Sequence, residues 1–214
     1  MRITESQLRR IIREELSTGR NAIIFPKVDN LFRVIAYDID ELEKSMQEKH
    51  PSNNYRGVIA GVVLNPPEGT FGPCNNAWHV ATAASNVRGW GTKVYTAALT
   101  RLDSVSSDRT EVSPEAERLW MKLNSLGHIS PEPFDNIANP QTPPPDDDCK
   151  ILYRRDPSIN RSYRLRKSAP SEILDLIEAG ERHMEELKDR GVADRYIRAL
   201  TTGYSILFSK RYYG

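Results

Sequence analysis

The chain has 214 residues, with 30 lysines and arginines against 29 aspartates and glutamates and a formal net charge of +1. That length is enough for one domain with a sizeable core and an appended segment. The balanced charge argues against general nucleic-acid binding, which needs a clustered basic excess, and the longest apolar run, residues 57–64, is too short to span a membrane.

Cysteine and histidine usage predicts neither a disulfide framework nor a metal site. Cys74 and Cys149 are the two cysteines of the chain and form no CxxC pair, so a reducing cytosol is the default compartment. The four histidines are scattered, without an HExxH or similar spacing. We therefore expect no bound metal.

Residues 1–19 form a unit of their own, predicted as an N-terminal amphipathic helix. Apolar residues recur there at helical spacing, with arginines and glutamates opposite, and Ser17-Thr18-Gly19 ends the pattern. A helix packed on the domain or on a partner is the simpler interpretation. The segment also resembles the leaders that direct proteins into the proheads of large tailed bacteriophages, which end at Leu/Ile-x-Glu; Ile12-Arg13-Glu14 fits that pattern. This resemblance implies cleavage of the leader and packaging in a virion.

From residue 21 onward the pattern favours strands. Residues 22–25, 32–37 and 55–64 are apolar or alternating and predict strands, while the charged stretch 38–50 predicts a helix. Residues 77–84 are apolar and predict a further, buried strand. We therefore expect a meander of strands in the first part of the chain.

The sequence Arg88-Gly89-Trp90-Gly91-Thr92-Lys93 joins that last strand to a predicted helix over residues 93–102. A strand–turn–helix of this kind offers unpaired backbone N–H groups and the positive end of a helix dipole, and both favour an anion such as phosphate. Gly89 and Gly91 would let the backbone approach the ligand and adopt positive φ. The alternative is an ordinary tight turn.

The same residues resemble the acyl-CoA loop of GNAT-type N-acetyltransferases, whose pattern is Gln/Arg-x-x-Gly-x-Gly/Ala. Arg88 and Gly91 match, whereas Lys93 stands where that family prefers Gly or Ala. The Gly-Trp-Gly sequence looks more like the divergent GNAT-like proteins of bacteriophages. The resemblance implies an α+β fold, with a mostly antiparallel mixed sheet flanked by helices, and binding of acetyl-CoA. The loop amides would hold its pyrophosphate, and a backbone N–H of the preceding strand would polarise its thioester carbonyl.

A second informative stretch surrounds a helix predicted over residues 113–126. Ser113 is a favourable N-cap and Pro114 suits the first helical position. The chain also resembles the bacteriophage group at Ser107-Asp108-Arg109, at this helix start and at Trp120. In that group the helix flanks the pantetheine arm of the cofactor. Typical family members carry there a tyrosine that protonates the leaving thiolate. Trp120 stands at the comparable place and cannot do so, because indole is no acid at neutral pH; the alternative for Trp120 is a buried core residue. The cofactor contacts that the resemblance implies are Ala81, Thr82, Ala83, Arg88, Gly89, Trp90, Gly91, Thr92, Lys93, Ser113 and Trp120.

The rest of the chain predicts a loop, a strand pair and a helical hairpin. Residues 131–148 contain six prolines and end in three aspartates; they predict a solvated loop, or an acidic run that attracts a cationic amine. Residues 149–153 and 159–165 predict paired strands, the second of which resembles the closing strand of the bacteriophage group. Two helices separated at Gly191 form a C-terminal hairpin over residues 168–214, which leaves residues 20–167 as the acyl-CoA-binding domain.

The implied reaction is transfer of the acetyl group of acetyl-CoA to an amine, and the loop and hairpin favour a macromolecular acceptor. The amine must lose a proton to attack, so a general base is needed; Asp108, Glu111 and His79 are candidates from their positions in the sequence. Tyr153 or Tyr163 would replace the missing helix tyrosine as the acid.

The rival interpretation is a non-catalytic bacteriophage virion or injected protein on the same scaffold. A third is another host-modifying transferase, such as an ADP-ribosyltransferase. The expected location is the host cytoplasm or the virion.

Overall fold

The computed structural model describes residues 20–48, 56–67, 77–108, 112–133 and 157–212. The predicted leader helix at residues 1–19, the predicted strand at 149–153 and most of the loop predicted at 131–148 lie outside these ranges.

The described chain contains seven strands and five α-helices, interspersed along the sequence. The strands are β1 (Asn21–Ile24), β2 (Phe32–Asp38), β3 (Val58–Asn65), β4 (Trp78–Ser85), β5 (Val105–Ser106), β6 (Ile129–Pro133) and β7 (Arg161–Leu165). The helices are α1 (Ile39–Gln47), α2 (Trp90–Ala98), α3 (Pro114–Asn124), α4 (Ser171–Asp189) and α5 (Ala193–Tyr212), with a short 3-10 helix at Pro157–Asn160.

The strands of the described residues form one sheet in the order β1-β2-β3-β4-β5-β7-β6. The first four are an antiparallel meander. The chain then crosses over through α2, so that β5 lies parallel to β4, and β7 pairs antiparallel with both β5 and β6. The predicted α+β class, with a mostly antiparallel mixed sheet flanked by helices, is confirmed.

The pairing of β7 corrects one prediction. β6 runs beside it from Ile129, opposite Leu165, to Pro133, opposite Arg161, whereas the prolines predicted a loop from position 131 onward. The loop prediction is wrong for residues 131–133. Proline cannot donate to a strand ladder, but β6 is an edge strand of the sheet, where the missing N–H can face away from its neighbour.

Apolar side chains are buried on both faces of the sheet, as strand β2 shows. Its Val34 and Ala36 belong to one core cluster, Ile35 and Tyr37 to the other, and all four are buried. The first face is covered by α2, α3 and the first half of α4. The second face is covered by α1, the end of α4 and α5. A strand buried on both faces needs a continuous apolar run rather than an alternating one.

Helix α4 passes along the edge strand β1 and thereby connects the two faces. Its Gly180 touches the backbone of β1, where a Cβ atom would overlap the carbonyl oxygen of Ile23. The contact shields the sheet edge, which would otherwise present unpaired backbone groups. The two helices predicted as an appended hairpin therefore share both core clusters with the sheet.

Candidate functional site

The parallel strands β4 and β5 separate after a short contact. They pair only at Trp78 with Val105 and at His79 with Ser106. Beyond this point β5 ends, whereas β4 continues to Ser85. The second half of β4 therefore extends beyond the end of β5.

A bulge interrupts β4 just beyond its contact with β5. Val63 of β3 lies opposite Thr82, and the next residue, Leu64, lies opposite Val80, so Ala81 has no Cα partner in β3. A bulge re-aims local backbone and side-chain groups and increases the twist of the strand. The bulge therefore lies in the half of β4 that has separated from β5.

The turn after β4 is held by hydrogen bonds to its neighbour strand. The backbone N–H of Asn86 donates to the Ile59 carbonyl at 3.1 Å, and its side-chain amide donates to the Val58 carbonyl at 3.2 Å. The Ser85 hydroxyl donates to the Val87 carbonyl at 2.7 Å. These contacts hold the end of β4 against β3 and set the direction in which α2 starts.

Gly89 caps α2 with a left-handed backbone. Its φ of 88° is a conformation that suits glycine, and a Cβ there would meet no atom within 4 Å. The Thr92 hydroxyl donates back to the Gly89 carbonyl at 2.8 Å. Helix α2 has no acidic residue in its first turn, so the field of its N-terminus, which favours an anion, is not cancelled within the turn.

The side chains of this turn differ in where they point. Arg88 is exposed, whereas Trp90 is buried in the first core cluster. Lys93 Nζ lies 2.5 Å from Glu172 Oε1 and 4.6 Å from the Trp90 ring centroid. The Lys93 charge is thus paired with α4, and the Trp90 N–H donates to the Val87 carbonyl at 3.3 Å.

Gly91 has a packing role that the sequence did not indicate. A Cβ at this position would lie 3.3 Å from Leu119 Cδ1 of α3, which is tighter than an ordinary contact. Gly91 thus allows α2 and α3 to approach each other, so a substitution here would disturb packing as well as any phosphate contact.

Two further predicted cofactor contacts, the N-cap of α3 and a residue within this helix, stabilise the fold. The Ser113 hydroxyl accepts from the Ala116 N–H at 3.2 Å, the predicted N-cap contact. Trp120 is 1% exposed, and its ring lies 5.1 Å from those of Tyr95 and Tyr163. The described residues thus enclose Trp120, in agreement with the core interpretation of this side chain.

The predicted acids and bases are spread over several positions. Tyr163 is fully buried and its hydroxyl donates to the Ser158 carbonyl at 2.6 Å, so the phenol is engaged in the core. Asp108 is partly exposed on the chain that follows β5. Glu111 and Tyr153 lie outside the described residues.

His79 is the ionisable side chain placed where β4 and β5 part. It is 2% exposed, and its Nδ1 lies 2.6 Å from Ser106 Oγ. The sequence could suggest this histidine as a base by position alone; its contact with β5 becomes visible only in the folded sheet.

The comparisons with known proteins returned no match: no family model, no curated protein and no solved structure is similar to this chain. Among the described residues, no helix combines the length and the apolar character needed to cross a membrane. Within the same part of the chain, no cluster of three or more His, Cys, Asp or Glu side chains is arranged to hold a metal ion.

Proposed function

We propose that the chain is an acetyl-CoA-dependent N-acetyltransferase that transfers an acetyl group to an amine. The observation that carries the proposal is the succession, along one strand, of a divergence from its parallel neighbour, a bulge at Ala81 and a glycine-capped helix start. This succession suits a long ligand with a phosphate at one end and a reactive carbonyl at the other.

The dimensions support an elongated cofactor. From Ala81 to Ser85 the strand advances about 13 Å at the usual rise per residue, and the turn to α2 follows. A pyrophosphate at the first turn of α2 would accept from backbone N–H groups that helix geometry leaves without intrahelical partners. The pantetheine arm would then run along the separated half of β4 and bring the thioester to the bulge.

The chemistry needs a polarised carbonyl and a neutral amine. The amine nitrogen attacks the thioester carbon, the C–S bond breaks, and the thiolate takes a proton as it leaves. A backbone N–H at the bulge would stabilise the oxyanion of the intermediate. The base that takes the amine proton is His79, whose imidazole lies at the strand junction against Ser106.

The test combines binding and turnover. Calorimetry should show that acetyl-CoA binds the full chain, and that Arg88→Glu weakens binding about tenfold, because it places a carboxylate beside the phosphates. Arg101→Glu is the matched control, because Arg101 is an exposed arginine paired with Glu181 and away from the turn. Thiol-reagent detection of released CoA over a panel of amines then tests transfer. No binding at millimolar acetyl-CoA would reject the proposal.

One observation favours the rival function, a non-catalytic bacteriophage virion or injected protein. Trp120 and Tyr163 are both core side chains, so neither offers a proton to a thiolate at the bulge. Labelled acetyl-CoA incubated with the protein and a host lysate separates the two functions. A labelled acceptor supports the enzyme, whereas tight cofactor binding with no labelled product supports the rival.

A further inference from the structure

A cavity of about 340 Å³ lies between the sheet and the second half of α5. Its volume falls in the range of small-ligand sites. The sheet contributes Arg33, Val63 and Thr82 to its wall, and α5 contributes Thr201, Tyr204 and Ser205.

The sheet side of the cavity is a row across three strands. Arg33 of β2 pairs with Val63 of β3, and Val63 pairs with Thr82 of β4. Adjacent strands lie about 4.8 Å apart, so Arg33 and Thr82 are separated by about 10 Å of sheet. Thr82 adjoins the bulged Ala81. One end of the cavity thus lies beside the position proposed for the thioester, and the other end carries a cation.

Arg33 is suited to receive an anion. Its side chain is 15% exposed, it donates to the Val28 carbonyl, and its Nη2 lies 3.5 Å from Asp29 Oδ2. Asp29 itself is 76% exposed, so this long contact is largely screened by solvent. A guanidinium has five N–H donors in a planar fork that matches a carboxylate, and these two contacts leave donors for a ligand.

The α5 side of the cavity offers acceptors. The Thr201 hydroxyl donates to the Ile197 carbonyl at 3.0 Å, and the Ser205 hydroxyl donates to the Thr201 carbonyl at 3.0 Å. Because these protons point back into the helix, the oxygen lone pairs remain for a donor in the cavity. Lone pairs on one wall and a guanidinium on another are complementary to a molecule that carries both an amine and an anionic group.

We infer that this cavity binds a small amine with a carboxylate several bonds away, and that such a molecule is the acetyl acceptor. Its role as acceptor rests on the proposed function, whereas its binding does not. The expectation of a macromolecular acceptor depended on the 131–148 loop, most of which lies outside the described residues, and on the C-terminal hairpin, whose second helix forms a wall of the cavity. The cavity instead has the size of a small molecule.

Calorimetry without acetyl-CoA tests the inference with a homologous series. The ligands are ω-amino carboxylates from β-alanine to 6-aminohexanoate, each compared with the n-alkylamine of equal chain length. The amino carboxylates should bind about tenfold more tightly than the matched amines, as expected for hydrogen bonds to a charged group. Affinity should peak at one chain length, set by the distance between Arg33 and the α5 acceptors.

Variants show which residues bind the carboxylate and which bind the amine of the ligand. Arg33→Gln should remove the preference for the carboxylate, while Arg101→Gln, which lies outside the cavity wall, should keep it. Thr201→Val should weaken both ligand classes equally, because it removes an acceptor for the amine. Arg33→Lys keeps the positive charge but lacks the planar guanidinium, so it should retain part of the preference for the carboxylate. This variant replaces Arg33→Gln in the test if circular dichroism shows that Arg33→Gln does not fold.

The outcomes separate the inference from the proposed function. Equal affinity of amino carboxylates and alkylamines for the wild type, or a preference that survives Arg33→Gln, would overturn the inference. Arg33-dependent binding without any acetyl-CoA binding would keep the cavity as a ligand site, reject the acetyltransferase and remove the acceptor role. Acetyl-CoA-dependent turnover of amines that ignores Arg33 would keep the enzyme and reject this acceptor.

Discussion

The phenolic oxygen of Tyr204, on the last helix, lies 3.0 Å from the hydroxyl oxygen of Thr82, on the bulged strand. The ring of Tyr204 reaches β3 at Gly61, where a Cβ atom would lie 2.6 Å from the ring. Glycine at this position therefore lets the ring pack directly on the sheet. The contact holds α5 against the sheet beside the cavity that both residues line.

Gly61→Ala should destabilise the fold. The added methyl group overlaps the Tyr204 ring, and overpacking of this kind typically costs about 1–3 kcal/mol. Urea denaturation measures the change. The double variant with Tyr204→Ala should show a strong coupling, because the second change removes the overlap. A Gly61→Ala protein as stable as the wild type would contradict the packing.

Gly89→Ala should cost about 1 kcal/mol, because a residue with a side chain is strained in the left-handed region. Position 127 provides a matched control, since Gly127 is likewise open to solvent around its Cβ but has no positive φ. Gly127→Ala should leave both the free energy of unfolding and acetyl-CoA affinity unchanged. If the two variants behave alike in urea denaturation, the Gly89 cap does not have this geometry.

Glu43 should make the free energy of unfolding depend on pH in the acid range. Burial raises the pKa of Glu43, but hydrogen bonds from Tyr196, His183 and Arg190 outweigh it and hold the pKa below its usual 4.5. Because the pKa of this carboxyl is lower in the folded than in the unfolded protein, its ionisation stabilises the fold at pH values above the unfolded-state pKa. This stabilisation is lost as the pH falls through the folded-state pKa. Glu43 lies on α1 and its partners lie on α4 and α5, so protonation weakens the attachment of the hairpin.

Glu43→Gln should therefore lower the free energy of unfolding at pH 7 by about 1–3 kcal/mol, the range for hydrogen bonds to a charged group. The difference from the wild type should shrink when the urea series is repeated below pH 4. Glu185→Gln is the control, because Glu185 pairs with Lys188 on the solvent side of α4. A Glu43→Gln penalty that stays constant between the two pH values would contradict the ionised network.

His79→Gln should lower the rate of acetyl transfer about a hundredfold or more if His79 is the base. The pH dependence is the decisive measurement. The acid limb of kcat/KM in the wild type should disappear in the variant, which a merely structural role would not produce. His128→Gln, at a histidine remote from the strand junction, should leave the profile unchanged. An unaltered limb in His79→Gln would show that another group takes the proton.

The sequence predicted the elements whose signals are local. Ser113 and Pro114 mark the start of α3 because capping depends on adjacent residues. Gly89 marks the start of α2 for a similar reason. These signals sufficed to predict the order of strand, turn and helix on which the candidate site depends.

Features set by partners distant in the chain could not be predicted. The bulge at Ala81 depends on the register with β3, and β6, despite its two prolines, pairs with β7 at the edge of the sheet. The cavity joins Arg33 and Thr82 to the hydroxyls of α5, residues that no local pattern connects. Trp120 had two interpretations in sequence, and burial between Tyr95 and Tyr163 favours the core.

Amide hydrogen exchange of the full chain, with and without acetyl-CoA, tests the central claim most directly. We expect slower exchange in two places: around Ala81, where the thioester would lie, and over the turn and first residues of α2, where the pyrophosphate would lie. The control segment is β1, at the far edge of the sheet, where exchange should not change. Saturating acetyl-CoA that leaves both places unchanged, or that protects only residues elsewhere, would contradict the account.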